Sequence, residues 1–291
     1  MQPTVLSKVV KGEDLRIGAG FTAWHFTEDA FAGAIDPVVM VDHFRMTAPT
    51  FEPHPHAGIS AVTYVFEDST SPHVNYDSLG NHQPIVPGAL HWFAAGRGAI
   101  HTEQPEGVNP FVHALQIFVN LPASKKQMAP YAVHLEPSQI PEFLAEGVRV
   151  RVVLGESNGV VQPATSDLPE PFTLLDAQLE PGAGFSHVVP PGWNAMVCLI
   201  RGRVRVETQD GACELTAGEG IAATALAAAP LGSSRLQFVA GPQTQLAILS
   251  GPALREPLVK QGPFVMNTQE QMQDAIRAFR NGQFGDLRLP A

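Results

Sequence analysis

Short apolar runs broken by glycine and proline set the rhythm of this chain. "AVTYVF", "PFVHALQIFVNLP", "VRVRVVLG", "AMVCLI", "RVRVET" and "LAILSG" are separated by turn-forming stretches such as "LGNHQ" (79–83), "VPGAL" (86–90), "TQDGA" (208–212) and "TAGEG" (216–220). Many short strands, with turn signals about every eight to twelve residues, predict an all-β sandwich or barrel. The two halves also resemble each other weakly. "DSLGNHQPIVPGALHWFAAG" and "TQDGACELTAGEGIAATALA" both read as strand, Gly turn, strand, Gly turn, strand. Two copies of one β-barrel module fit the length. The polar, proline-flanked "LPASKKQMAP" puts the boundary between about residues 125 and 145, which divides the chain into 1–135 and 136–291.

A different period governs one segment. In "NTQEQMQDAIRAFRNG", Met272, Ala275, Ile276 and Phe279 fall on one helical stripe. Thr268 with Gln271 forms a capping box and Asn281-Gly282 a stop, so a helix is expected over 268–281, closing the C-terminal barrel. "PSQIPEFLAEG" (137–147) is read as a second, shorter helix.

Composition narrows the function classes. Of 291 residues 44% are apolar, enough for a sizeable core, yet no apolar run reaches the eighteen residues of a membrane-spanning helix. The first residues lack the apolar stretch of a signal peptide, and only two cysteines occur, Cys198 and Cys213, without CxxC spacing. A reducing, cytoplasmic setting follows as the expectation. The net charge of −10, with no basic run longer than "SKK" at 124–126, argues against direct nucleic-acid binding, because neutralising phosphates needs a basic surface.

The histidines carry the chemistry. His54 and His56 in "FEPHPHAGIS" are two apart, so in a strand both imidazoles face one way. His101 and Glu103 in "GRGAIHTEQPEG" repeat that spacing. Neighbouring strands would close the four into one cluster, and the 45 residues between His56 and His101 leave room for two further strands and a Greek-key return. Three imidazoles and a carboxylate suit Fe(II), Mn, Ni, Cu or Zn and lack the sulfur that would narrow the choice. His25, His73, His82 and His134 sit in polar or turn contexts and read as surface or loop residues. His43, His91 and His113 read as core or rim residues of strands. His187 is the single histidine beyond residue 134.

"HPHAGISAVTYVFE", "DSLGNHQPIVPGALHWFAAGRGAIHTE", "HALQIFVNLPASKK" and "EPLVKQGPFVMNTQEQMQDAIRAFRNGQFG" resemble pirin signatures, nearly end to end. Pirins are two-barrel members of the cupin superfamily. The resemblance implies two cupin-type jelly-roll barrels (a bicupin) with a C-terminal helix. It implies one mononuclear metal in the N-terminal barrel, usually iron as Fe(II), with Co a further candidate, held by His54, His56, His101 and Glu103, and none in the C-terminal barrel. Two activities come with it. Some pirins resemble quercetinases, which cleave flavonols with O₂ and release carbon monoxide; there Glu103 would also act as the base for the substrate's 3-hydroxyl. Others are regarded as non-catalytic, redox-sensing regulators acting through a protein partner. The chain departs from the family pattern at Ala57 and Ser60, where pirins usually carry Arg and Glu.

Overall fold

The structure is a computed structural model that describes residues 4–209, 211–230, 232, 234–287 and 289. It is built almost wholly of antiparallel strands, with one α-helix and three short 3-10 turns among the described residues. No described helix is long and apolar enough to cross a membrane.

The chain forms two compact units. One, here the first barrel, comprises residues 14–25, 40–137 and 254–291; the other, the second barrel, comprises 1–13, 26–39 and 138–253. Spatial grouping therefore departs from chain order. Thr4–Leu6 and Val10–Lys11 pair with Glu219–Ala225 in the second barrel. The helix Gln269–Arg280, expected to close the C-terminal barrel, groups instead with the first, where Met272 and Ala275 pack with Ala57, Phe264 and Met266. Thr268 caps it in a full capping box with Gln271 and Asn281 ends it.

Each barrel sets a large sheet against a four-stranded one. In the first barrel the large sheet has seven strands, ordered Tyr131–Leu135, Leu90–Ala94, Ile59–Val65, Val112–Asn120, Val38–Met46, Phe21–Thr27 and Glu13–Ile17. The small sheet is ordered His54–His56, Ala99–Pro105, His73–Asp77, His82–Ile85. In the second barrel the corresponding small sheet is Gly184–Val188, Arg235–Ala240, Arg203–Thr208, Gly211–Thr216. Its core is one continuous aliphatic and aromatic cluster that includes Val150, Leu175, Val197, Leu236, Phe238 and Ile248.

Residues 137–147 differ from the helix expected there. Pro137–Gln139 makes a single 3-10 turn, and Glu142–Ala145 is an edge strand paired with Val148–Leu154. Pro141 explains the change: it biases the preceding residue toward extended backbone, and the turn at Gly147 then returns the chain as a hairpin.

Candidate metal centre and its cavity

Period-two alternation places the three histidines. His54–His56 pairs antiparallel with Ala99–Pro105, putting His54 opposite His101 and His56 opposite Ala99. Four strands intervene between the two segments, not two. The imidazoles of His54, His56 and His101 converge, with one nitrogen of each within 4.8 Å of the others. Their ring centroids lie 4.8–4.9 Å apart, and His56 Nε2 is 3.0 Å from His101 Nε2.

The surroundings decide which nitrogen each ring offers. His54 Nδ1 donates to the Glu52 carbonyl at 2.9 Å, and a carbonyl can only accept, so Nε2 keeps its lone pair. His101 Nδ1 lies 3.2 Å from Asn75 Oδ1. The Asn75 amide is turned that way because its Nδ2 donates to Asp77, whose carboxylate also accepts from Leu79 N, Asn81 N and Asn81 Nδ2. Outer partners of this kind fix the tautomer of a metal-binding histidine. Burial holds the rings neutral. It lowers His54, brings His56 down to about 3 with the charge of His54 adding, and sets His101 well below its usual value. Phe93 stacks flat on His101 at 4.9 Å and Phe118 meets His56 edge-on at 5.0 Å. Uncharged, oriented imidazoles converging without sulfur fit a first-row transition metal.

Glu103 lines the same cavity but stands outside the three-nitrogen cluster. Thr63 Oγ1 donates to its Oε2 at 2.5 Å, and His73 Nε2 lies 3.6 Å away. Thr63 Oγ1 is also 3.0 Å from Gln116 Oε1. A hydroxyl has one hydrogen, so Thr63 can donate to only one of these two acceptors at a time. Burial, the largest cause, pushes the carboxyl up to about 7, with Thr63 opposing and the charge of Asp77 reinforcing.

Sequence reading placed His73 at the surface, but it is 3% exposed, lines the cavity, and is lowered to about 3 by burial. "HVNYD" held the clue: His73, Asn75 and Asp77 alternate on one strand face, and each proves buried. His25 is half-buried and pairs with Asp42 at 2.6 Å, whereas His82 is exposed and stacked on Tyr76. His113 bridges Asp68 and His43, and His91 faces His134 across a strand pair.

Above the histidines the cavity encloses about 320 Å³, walled by Phe21, Phe44, Phe51 and Phe118 with Met40 and Met46. Phe21 stacks on Phe44 at 5.3 Å and meets Phe51 edge-on at 5.0 Å. Pro263, from the C-terminal segment, completes the lining.

That segment is pinned beside the histidine strand. Gly58 has φ +77°, and a Cβ there would lie 1.9 Å from the Val265 carbonyl oxygen, so only glycine fits. Lys126, 1% exposed, donates from Nζ to Gly58 O, Asn120 Oδ1 and Val265 O at 2.8, 2.6 and 3.0 Å. The three acceptors match the ammonium's three hydrogens. Ala57 and Ser60 are both fully buried, and Ala57 belongs to the apolar cluster that includes Phe264 and Met272.

A jelly-roll double barrel with histidines clustered inside one barrel defines a cupin. Residues 18–119 match the family model described as Pirin, and residues 174–285 match the Pirin C-terminal cupin domain. Human pirin is 34% identical over 258 residues, covering 86% of this chain and 83% of its own. The chain belongs to the pirin family. A quercetin 2,3-dioxygenase of Acinetobacter baumannii superposes with a TM-score of 0.82 at 25% identity, covering 97% of this chain and 99% of that one. Escherichia coli YhhW, a bacterial pirin solved in complex with nickel(II), shares the fold with a TM-score of 0.60 at 17% identity, over 86% of this chain and 99% of that one.

Proposed function

We propose that the first barrel is a mononuclear metal centre that uses O₂ to cleave a small aromatic substrate of flavonol type. The observation that carries this reading is the convergence of three neutral imidazoles at a phenylalanine-walled cavity, with a buried carboxyl beside them. A bound transition metal, Fe(II) foremost and Mn, Ni, Cu, Co or Zn compatible with the same donors, would supply electron transfer toward O₂ and acidify a hydroxyl bound to it.

The chain's own residues do the rest. His54, His56 and His101 hold the ion, with Glu52 and Asn75 fixing which nitrogens face it. Glu103 is the fourth candidate ligand and the acceptor of the substrate's hydroxyl proton. A carboxyl near 7 matches a base working at neutral pH. Thr63 and Gln116 steer that carboxyl. The phenylalanines bind a flat ring system and keep water out. The quercetin 2,3-dioxygenase of Acinetobacter supports the activity by its likeness over the whole chain. A cytoplasmic setting suits the two free cysteines.

A second reading, redox sensing through a protein partner, uses the same residues. The cavity's 320 Å³ favours it, lying at the small end of the roughly 300–1,000 Å³ usual for small-molecule sites. Metal analysis of the purified protein, followed by aerobic incubation with a flavonol, separates the two. Metal-dependent loss of the flavonol's visible absorbance is expected. No oxygen-dependent turnover with any bound metal would hand the site to the sensing role.

A further inference from the structure

Met40, Asp42, Phe44 and Met46 hold alternate positions of the strand Val38–Met46, and all four line the cavity of the first barrel. Period-two alternation asks for an apolar side chain at each inward position, and three comply. Asp42 does not. A carboxylate among methionine and phenylalanine walls is costly without a partner. His25, on the neighbouring strand Phe21–Thr27, supplies one: its Nδ1 lies 2.6 Å from Asp42 Oδ1. A carboxylate only accepts, so the imidazole donates and holds that oxygen in place. No hydrogen bond reaches the second oxygen, Oδ2, among the described residues. The Asp42 side chain is 12% exposed, so it is not sealed in. Two other polar groups of the lining, Glu103 and Gln116, lie within hydrogen-bond distance of Thr63, and Glu52 is exposed.

We propose that Asp42, positioned by His25, determines specificity in this cavity: its unpaired Oδ2 accepts a hydrogen bond from a ring hydroxyl of the aromatic substrate. That hydroxyl is a second one, distinct from the hydroxyl given to the metal centre. The proposal rests on the flavonol reading and narrows it to flavonols that carry further ring hydroxyls. An O–H donating to a carboxylate is among the stronger hydrogen bonds, about twice a neutral one. Phe21, stacked on Phe44 and edge-on to Phe51, gives the ring a flat seat in the same cavity. A methyl ether in place of the hydroxyl offers Asp42 no hydrogen, and a ring carboxylate is repelled by its charge. Asp42 stands outside the three-imidazole cluster and bonds none of the candidate ligands, so it selects the substrate without holding the metal.

The test measures binding rather than turnover, with metal-loaded full-length protein kept free of O₂. The probes are kaempferol and 3-hydroxyflavone, which share the 3-hydroxyl and differ in hydroxyls elsewhere; kaempferol has no catechol to chelate the metal. Titrations are followed by flavonol absorbance. Asp42→Asn keeps an oxygen for His25 and replaces the other with an amide donor. It should weaken kaempferol about tenfold or more, the scale of a lost hydrogen bond to a charged group. Affinity for 3-hydroxyflavone and metal content should stay as in the parent. His25→Ala should lower kaempferol's advantage by a smaller factor, and because His25 is half-buried it reports even if Asp42→Asn fails to fold. Equal weakening of both flavonols would show a merely structural role, and parent-like selectivity in both variants would show no contact. Either result overturns the proposal and leaves the flavonol reading standing. No flavonol binding by the metal-loaded parent would overturn both.

Discussion

The two barrels repeat one arrangement with opposite interiors. In each small sheet the first two strands pair antiparallel. In the first barrel that pairing sets His54 against His101, and in the second it sets Phe185 against Phe238, whose rings stack at 5.7 Å. Around the phenylalanines the second barrel packs a single large apolar cluster, whereas buried apolar residues of the first include separate smaller clusters, among the described residues, and its histidines line a phenylalanine-walled cavity. Both interiors derive from the same strand alternation, so backbone topology does not decide which barrel can hold a metal. A few inward-facing positions decide it. Filling them with imidazoles gives up packing in exchange for chemistry.

The sharpest way to break this contrast is at the ligands. His54→Ala or His101→Ala should reduce metal from about one per chain to a small residue and abolish flavonol turnover, with the fold intact by circular dichroism. Near-normal metal in His54→Ala would remove the basis of the assignment. In the second barrel, Phe238→Ala should instead cost about 3–5 kcal/mol of stability, as expected for a buried aromatic, leaving metal content alone. Denaturant titration measures it; a cost below about 1 kcal/mol would show that this core is not packed as described.

Glu103→Gln sharpens the comparison within the site. It keeps shape and an oxygen donor but cannot take a proton, so turnover should fall at least about a hundredfold while much of the metal stays. Parent-like turnover at equal metal loading would end the base role.

Protonation gives a smaller effect with two opposing signs in metal-free protein. His56 and His73 are held to about 3, so the stability they contribute is full above their ordinary 6.5 and is lost as pH falls toward 3. Glu103 runs the other way: raised from 4.5 to about 7, it lowers stability as pH rises between those values. Urea midpoints at pH 4.5 and 7.5 should show Glu103→Gln gaining on the parent at the higher pH, and an unchanged difference would count against a buried, strained carboxyl. Smallest of all is the response to DNA. A chain of net charge −10 should give no salt-sensitive band shift, and a tight one would show that local charge outweighs the total.

The sequence made the barrels legible because turn residues punctuate every strand, and the three converging imidazoles because HxH and HxE survive as local patterns. The capping box made the helix equally plain. What stayed hidden depended on tertiary placement. Thr63 reads as one more strand former in "AVTYVF", and only the register opposite Gln116 and the approach of Glu103 give its hydroxyl a task. Phe21, Phe44, Phe51 and Phe118 come from four segments, so their shared cavity has no local signature. His187 was visible as a solitary histidine, but the Ser157 hydroxyl beside its Nδ1 comes from thirty residues away. The helix was found without its docking partner, because its apolar stripe would fit any apolar surface.

Because residues 254–291 belong to the barrel that holds most of residues 14–137, that barrel is finished only after all of its neighbour has been made. A chain emerging from a ribosome, at about 5–20 residues per second, would synthesise the whole of residues 138–253 before Val265 arrives to accept the Lys126 ammonium and Pro263 to line the cavity. Until then Lys126 lacks one of its three acceptors and the face under Ala57 lies open to water. Metal capture by the histidine strand should therefore follow release of the completed chain, and pulse-labelled nascent chains ending near residue 253 should bind no metal that full-length chains retain.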